Sequence, residues 1–330
     1  MQLSILGPGA VGTLLAGLFC LKGHRVVLRG RRAPAHPGGP IRVVLPGSWL
    51  LAEGVDQRGP ETVAATDESA APNTDAVFVT MGRQHLHALR RPDFARLTGA
   101  GDAPIVLFNC DPSEIDRLSV APDRLRLGLT LMTAVKLQES DVELADERPI
   151  ILYEGGGILD RLFRDLASFG FRVEAVPDGR PYLNSLLVWQ LLFLPVAMCN
   201  TTLAVFLSFP EGRELAAGLI DEGCAAMEKA GMPMAPLPAM DPRVLAANLE
   251  KRPGSFEIDT GRPDRGYNNV LQSTLLKKPS EAPQLNRRIV EIASDAGLHL
   301  TWNWRILQKM SRMASLGFYR TPAELLRSLV

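Results

Sequence analysis

Gly7, Gly9 and Gly12 fill the glycine positions of a G-x-G-x-x-G, written here as Gly7-Pro8-Gly9-Ala10-Val11-Gly12. Each glycine has its own task in cradling a pyrophosphate: the first permits a tight turn, the second lets the backbone approach the phosphates, and the third lets a helix pack closely on the preceding strand. The chemistry is anion binding by a helix N-terminus, whose unpaired N–H groups and positive dipole end face the phosphates. A second group, Arg29-Gly30-Arg31-Arg32, contains no acid. Enzymes that use NAD usually place Asp or Glu at this point of the fold for the ribose 2′-hydroxyl, whereas guanidinium forks match a phosphate. The turn therefore predicts NADP (NADPH) as the cofactor, the alternative being a solvated basic turn.

These residues need elements to hold them. The mostly apolar run 3–6 reads as a strand and 13–21 is apolar at helical spacing, so the glycines fall at a strand-to-helix turn. Gly23-His24 leads into a strand over 25–28, expected parallel to the first and beside it, with the arginines at its end. Further strands are predicted over 75–80, 105–109, 125–132, 149–153 and 171–176, a short strand or hairpin over 41–45, a helix start over 81–89 and an amphipathic helix over 158–169. Ligands of open α/β sheets bind outside the carboxyl ends of strands, which places Met81, Arg83, Gln84 and Asn109 against a cofactor or substrate; ordinary helix-start polarity is the other explanation. From about Pro181 apolar residues recur at helical spacing over 183–207, 212–230, 242–249, 269–276, 281–296 and 304–316. The expected fold is α/β, with a Rossmann-type parallel sheet in 1–178, an all-helical domain in 179–330 and the active site in the cleft between them.

A length of 330 residues with 46% hydrophobic content suits two domains with proper cores. Lys+Arg and Asp+Glu both total 36, so no net field draws the chain to nucleic acid or an anionic membrane. The apolar run 186–199 falls short of the roughly 20 residues a membrane span needs, and Gln190 and Pro195 interrupt it, so it is expected as a buried helix. Cys20, Cys110, Cys199 and Cys224 form no C-x-x-C and have no paired histidine; reduced, buried thiols in a cytoplasmic protein are expected, and no metal site. The chain opens directly on Met1-Gln2-Leu3, so no secretory leader is expected. His24 is expected to be structural, His85 and His87 to lie on the surface, and His299 in a turn.

The chain resembles the ketopantoate reductases (2-dehydropantoate 2-reductases) over nearly its whole length. The resemblance rests on Ile5-Leu6-Gly7-Pro8-Gly9-Ala10-Val11-Gly12, the arginine after the second strand, Asn109 at a strand end, Asn268-Asn269-Val270-Leu271-Gln272-Ser273, and Ser280-Glu281 followed by Asn286. It implies a helical substrate and dimerisation domain like the C-terminal domain of 6-phosphogluconate dehydrogenase, a small-molecule substrate and a homodimer. In that family a helix opening the second domain carries Lys, Asn and Asn four residues apart, on one face. The lysine protonates the alkoxide as hydride reaches the keto carbon. Aligning the last asparagine with Asn200 puts Val196 and Leu192 at the other two positions, and no lysine occurs between Lys136 and Lys229. The family's substrate-contacting serine falls at Asn269 and its glutamate at Glu281. The resemblance thus implies Asn109, Asn200, Asn269 and Glu281 as catalytic candidates and Leu192, Val196, Asn200 and Asn269 as the substrate pocket. Cofactor contacts are implied at Gly7 to Gly12, Arg29, Arg31, Arg32, Met81, Arg83 and Asn109.

A general acid typically contributes about 10²–10⁴-fold, so its replacement leaves three readings open. An imine or iminium substrate needs less from a lysine, and Tyr182 or Tyr267 could join Asn200, Asn269 and Glu281 around it. A 2-oxo acid reductase, ketopantoate reductase included, could hold its carboxylate with Arg262, Arg265 or Lys277 and take the proton from another group. The third reading is an NADP-binding protein without redox activity.

Overall fold

Four of the five residues of β1 (Gln2–Leu6) are buried, which is why its sequence is apolar rather than alternating: both faces of the strand are covered. In the computed structural model of the chain, α1 (Ala10–Leu21) follows and returns to β2 (Arg25–Arg29), parallel to β1 with Gln2 opposite Arg25 and Leu6 opposite Arg29. The structure describes residues 1–30, 39–58, 74–81, 102–111, 115, 118, 120–138, 140–146, 149–238, 241–249, 282–316, 319 and 321–329. By clustering of contacts the chain divides into two compact units, Met1–Gly179 and Arg180–Val330.

In the first unit the remaining strands are β3 (Ile41–Leu45), β4 (Ser48–Ala52), β5 (Asp56–Arg58), β6 (Ala76–Val79), β7 (Ile105–Phe108), β8 (Leu125–Leu131), β9 (Ala134–Lys136), β10 (Asp141–Leu144), β11 (Ile150–Glu154) and β12 (Arg172–Val176). Eight of the strands form one sheet in the order β12-β11-β8-β7-β6-β1-β2-β5, parallel except between β8 and β11. Its run from β5 to β8 is the 3-2-1-4-5-6 order of doubly wound nucleotide folds. The segment expected as a short strand or hairpin is the hairpin β3–β4, and it joins β9 and β10 in a second sheet, β4-β3-β10-β9. That small sheet lies on α1 so closely that a Cβ on Gly17 would meet Val43 Cγ2 at 2.5 Å. The helix α2 (Ile158–Ala167) turns Leu159, Leu162, Phe163 and Leu166 into the core. Phe163 there stacks on Tyr153 and meets Phe78 and Phe108 edge-on. His24 is structural: buried beside Phe19, it pairs with Asp165 at 2.9 Å.

The second unit holds α3 (Arg180–Gln190), α4 (Phe193–Met198), α5 (Leu203–Ser208), α6 (Pro210–Lys229), α7 (Pro242–Leu249), α8 (Ala282–Asp295), α9 (Trp302–Leu316) and α10 (Pro322–Leu329). The single helical stretch expected over 183–207 is three helices. Pro195 explains the first break: its ring opposes the carbonyl four residues back, that of Leu191, so α3 ends at Gln190 and α4 starts at Phe193. Asn200, at φ 48°, makes the second. By length and composition alone the stretch Arg180–Met198 is apolar enough to cross a membrane, but 78% of its most apolar window is buried inside the protein. The carboxylate of Glu222 on α6 accepts from the backbone N–H groups of Thr301, Trp302 and Asn303 and so caps α9. Asn286 donates to the Asn303 side chain at 2.9 Å, and both are fully buried, so Asn286 links α8 to α9.

Candidate nucleotide-binding site

The chain leaves β1 through Gly7, whose φ of +112° suits glycine, and a Cβ there would meet the Met81 nitrogen at 2.8 Å. A Cβ on Gly12 would lie 2.0 Å from the Gly7 carbonyl oxygen and 2.5 Å from Thr80 Oγ1. These two glycines answer to the protein's own packing. Gly9 does not: as N-cap of α1 it has φ −73° and ψ −174°, open to any residue, and a Cβ there would meet nothing within 4 Å. Glycine at that position keeps space clear above a helix N-terminus, which is the room a pyrophosphate requires. No side chain caps α1 and no acidic residue stands in its first turn, so its leading N–H groups are not answered by either. The residues present fit a dinucleotide.

Three further bonds position the loop. The Gly7 amide donates to the Arg29 carbonyl at 2.9 Å, tying the loop to the end of β2, where Arg29 stands in register with Arg58 of β5. Thr80, at the end of β6, donates its hydroxyl to the Gly7 carbonyl at 2.9 Å. Lys136 Nζ donates to the Pro8 carbonyl at 2.8 Å. Nothing in the spacing of the sequence points to this lysine, because β9 brings it to the loop through the second sheet.

Asn109 follows β7 with φ 50°, a left-handed conformation that asparagine tolerates. Its Nδ2 donates to Thr130 Oγ1 at 2.8 Å and its Oδ1 accepts from the Thr130 amide at 2.9 Å, so the side chain is locked to β8. Met81, half-buried, lies one residue past Thr80 against Gly7. Arg31, Arg32, Arg83, Asn269 and Glu281 lie outside the described residues, as do residues 82–89 of the helix start expected over 81–89, Gln84, His85 and His87 among them, and Arg262, Arg265, Tyr267, Asn268, Lys277 and Ser280.

In the second unit the three positions at four-residue spacing do not share one helix. Leu192 precedes α4, Val196 lies within it, and both are fully buried, while Asn200 is exposed beyond its end. The Asn200 amide donates to Ala197 O at 3.0 Å. Cys199 beside it is no nucleophile: burial first, then the Glu324 carboxylate, pushes its thiol up to about 12. All four cysteines are free, but only Cys110 and Cys199 are buried as expected, Cys20 and Cys224 being half-buried, and His299 lies exposed between α8 and α9.

The fold and loop together define a class: a Rossmann-type unit with a glycine-rich turn after its first strand, followed by a helical unit. That fold is the fold of the ketopantoate reductases. A PanE/ApbA-family ketopantoate reductase from Ralstonia eutropha JMP134 superposes with a TM-score of 0.73 at 17% identity, over 95% of this chain and 98% of that one. A dimeric ketopantoate reductase from Staphylococcus aureus gives 0.66 at 18%, over 94% and 98%. A D-mandelate dehydrogenase solved with NADH and anilino(oxo)acetate gives 0.77 at 13%, over 97% and 100%. No protein-family model and no curated protein sequence matches the chain.

Proposed function

We propose that the protein is an NADPH-dependent oxidoreductase of the ketopantoate reductase type, reducing a C=N or C=O group of a small molecule. The observation that carries the reading is Gly9, a glycine with ordinary backbone angles facing open space at an uncapped helix N-terminus. A bound reduced nicotinamide would supply hydride to the substrate carbon, while the oxygen or nitrogen takes a proton. The chain's residues do the rest. Gly7 to Gly12 and the first turn of α1 hold the pyrophosphate, Arg29 with Arg31 and Arg32 holds the 2′-phosphate, and Met81, Arg83 and Asn109 border the nicotinamide half. Asn200, Asn269 and Glu281 orient the substrate or deliver the proton; with Leu192 and Val196 covered, Asn200 and Asn269 are the pocket residues that meet it. The fold shared with the ketopantoate reductases supports this reading. A homodimer is supported by the dimeric Staphylococcus aureus neighbour, and a cytoplasmic location by the four free thiols.

A second reading, a 2-dehydropantoate 2-reductase or other 2-oxo acid reductase with a substituted proton donor, is favoured by the oxoacetate held by the D-mandelate dehydrogenase neighbour. The NADH in that complex makes cofactor preference the first measurement. Titration of NADPH and NADH is expected to show tighter binding of NADPH, with Arg29→Ala removing most of the difference. Equal affinities would remove the NADP preference, and binding of neither would remove the reading. NADPH oxidation with ketopantoate, other 2-oxo acids and cyclic imines then separates the substrates; tight binding without oxidation of any leaves an NADP-binding protein without redox activity.

A further inference from the structure

We propose that Lys136 belongs to the nucleotide site and supplies the positive charge that meets the pyrophosphate, an inference that rests on the dinucleotide reading above. Its ammonium lies 2.8 Å from the carbonyl oxygen of Pro8, the residue between the first two glycines of the loop. An ammonium has three donors, so it can hold that carbonyl and an anion over the loop at the same time. Backbone N–H groups and a helix dipole offer only partial charges, and the first turn of α1 carries no cation of its own. Lys136 brings a full charge to the loop itself, beside Pro8.

The placement is built by an element that a bare nucleotide fold does not require. Lys136 ends β9 opposite Val142 of β10, β10 pairs with β3, and β3 packs on α1 where Gly17 leaves no room for a side chain. The second sheet is in this sense a bracket whose last residue reaches the phosphate turn. Because the pyrophosphate is common to NADPH and NADH, Lys136 strengthens both equally, whereas Arg29 favours NADPH alone.

The experiment compares wild type, Lys136→Gln and Lys136→Arg in titrations with NADPH, NADH and ADP-ribose, together with melting temperatures of the free proteins. Lys136→Gln is expected to weaken all three ligands by one common factor, on the order of tenfold, the size of a charge-assisted hydrogen bond. Lys136→Arg should keep most of the affinity. Unchanged affinities in Lys136→Gln alongside a lowered melting temperature would make the lysine a brace for the loop and overturn the inference while leaving the dinucleotide reading intact. Weakening of NADPH alone would overturn it too, by moving the charge to the 2′-phosphate. Failure of the wild type to bind any of the three ligands would remove the dinucleotide reading itself, and this inference with it.

Discussion

The hydroxyl of Thr80 donates to the carbonyl oxygen of Gly7 at 2.9 Å, with the Leu6 carbonyl 3.2 Å away. The hydroxyl oxygen of Thr80 stands 2.5 Å from the place a Cβ on Gly12 would take. One side chain at the end of β6 thus holds the first glycine of the turn and rests against the third. Thr80→Val keeps the shape and removes the bond. It is expected to cost about 1 kcal/mol of stability and to weaken NADPH, because the turn loses the contact that fixes it. Thr80→Ser should restore affinity; if Thr80→Val binds as wild type does, the hydroxyl serves stability alone.

Alanine at two of the glycines should separate folding from binding. At Gly12 the new Cβ would sit 2.0 Å from a backbone oxygen, so the backbone must move, and a loss of roughly 2 kcal/mol is expected in thermal melts. At Gly9 nothing lies within 4 Å, so the melting temperature should hold or rise slightly, glycine being the more flexible residue when unfolded. NADPH affinity should nonetheless fall at least about tenfold, because the methyl enters the space that the phosphates need. A Gly9→Ala protein with undiminished affinity would put the nucleotide elsewhere.

Leu192→Lys puts a lysine at the position aligned with that of the ketopantoate reductases, yet Leu192 is fully buried beside α4, which packs on α8 and α9. A charged amine there has no water, and a loss of ~3 kcal/mol or more is expected. Denaturant melts of the variant give the answer. Undiminished stability would show that the side chain reaches solvent after all.

Tyr153 gives the fold an alkaline limit. Its phenol is raised from 10.0 to about 12 by burial first, then by the hydrogen bond to Asp160 and the charge of that carboxylate, with Arg164 pulling the other way. The folded value lies above the unfolded one, so its contribution is fully present below about pH 10 and is lost as the pH rises toward 12. Thermal melts from pH 8 upward should show wild type losing stability faster than Tyr153→Phe above pH 10; parallel curves would exclude the tyrosine as the cause.

The sheet and the glycine turn were legible because they rest on local signals. Gly7 and Gly12 are demanded by backbone angle and close approach, and buried parallel strands such as β1, β6 and β7 are continuous apolar runs. The break at Leu191 was legible in principle from Pro195, but a helix covered on nearly every side is apolar throughout and masks its own interruption. Lys136 was not legible at all. Its place beside Pro8 depends on β9, three residues long, pairing with β10 and through it with β3, and no local pattern reports a partner so remote. Delivery of the proton by Glu281 and orientation of the substrate by Asn200 and Asn269 stay a proposal, Asn269 and Glu281 lying beyond the described residues.

The pairing of β3 with β10 also governs when Lys136 can reach the glycine turn. Arg42 and Asp141 are joined at 2.8 Å across 99 residues of sequence. Contacts of such separation form late and slowly, since a long loop must close before they reward it. The glycine turn can form as soon as the first two strands meet, but the lysine beside Pro8 arrives only when the second sheet zips shut. In refolding, recovery of full nucleotide affinity should therefore lag behind recovery of helical signal.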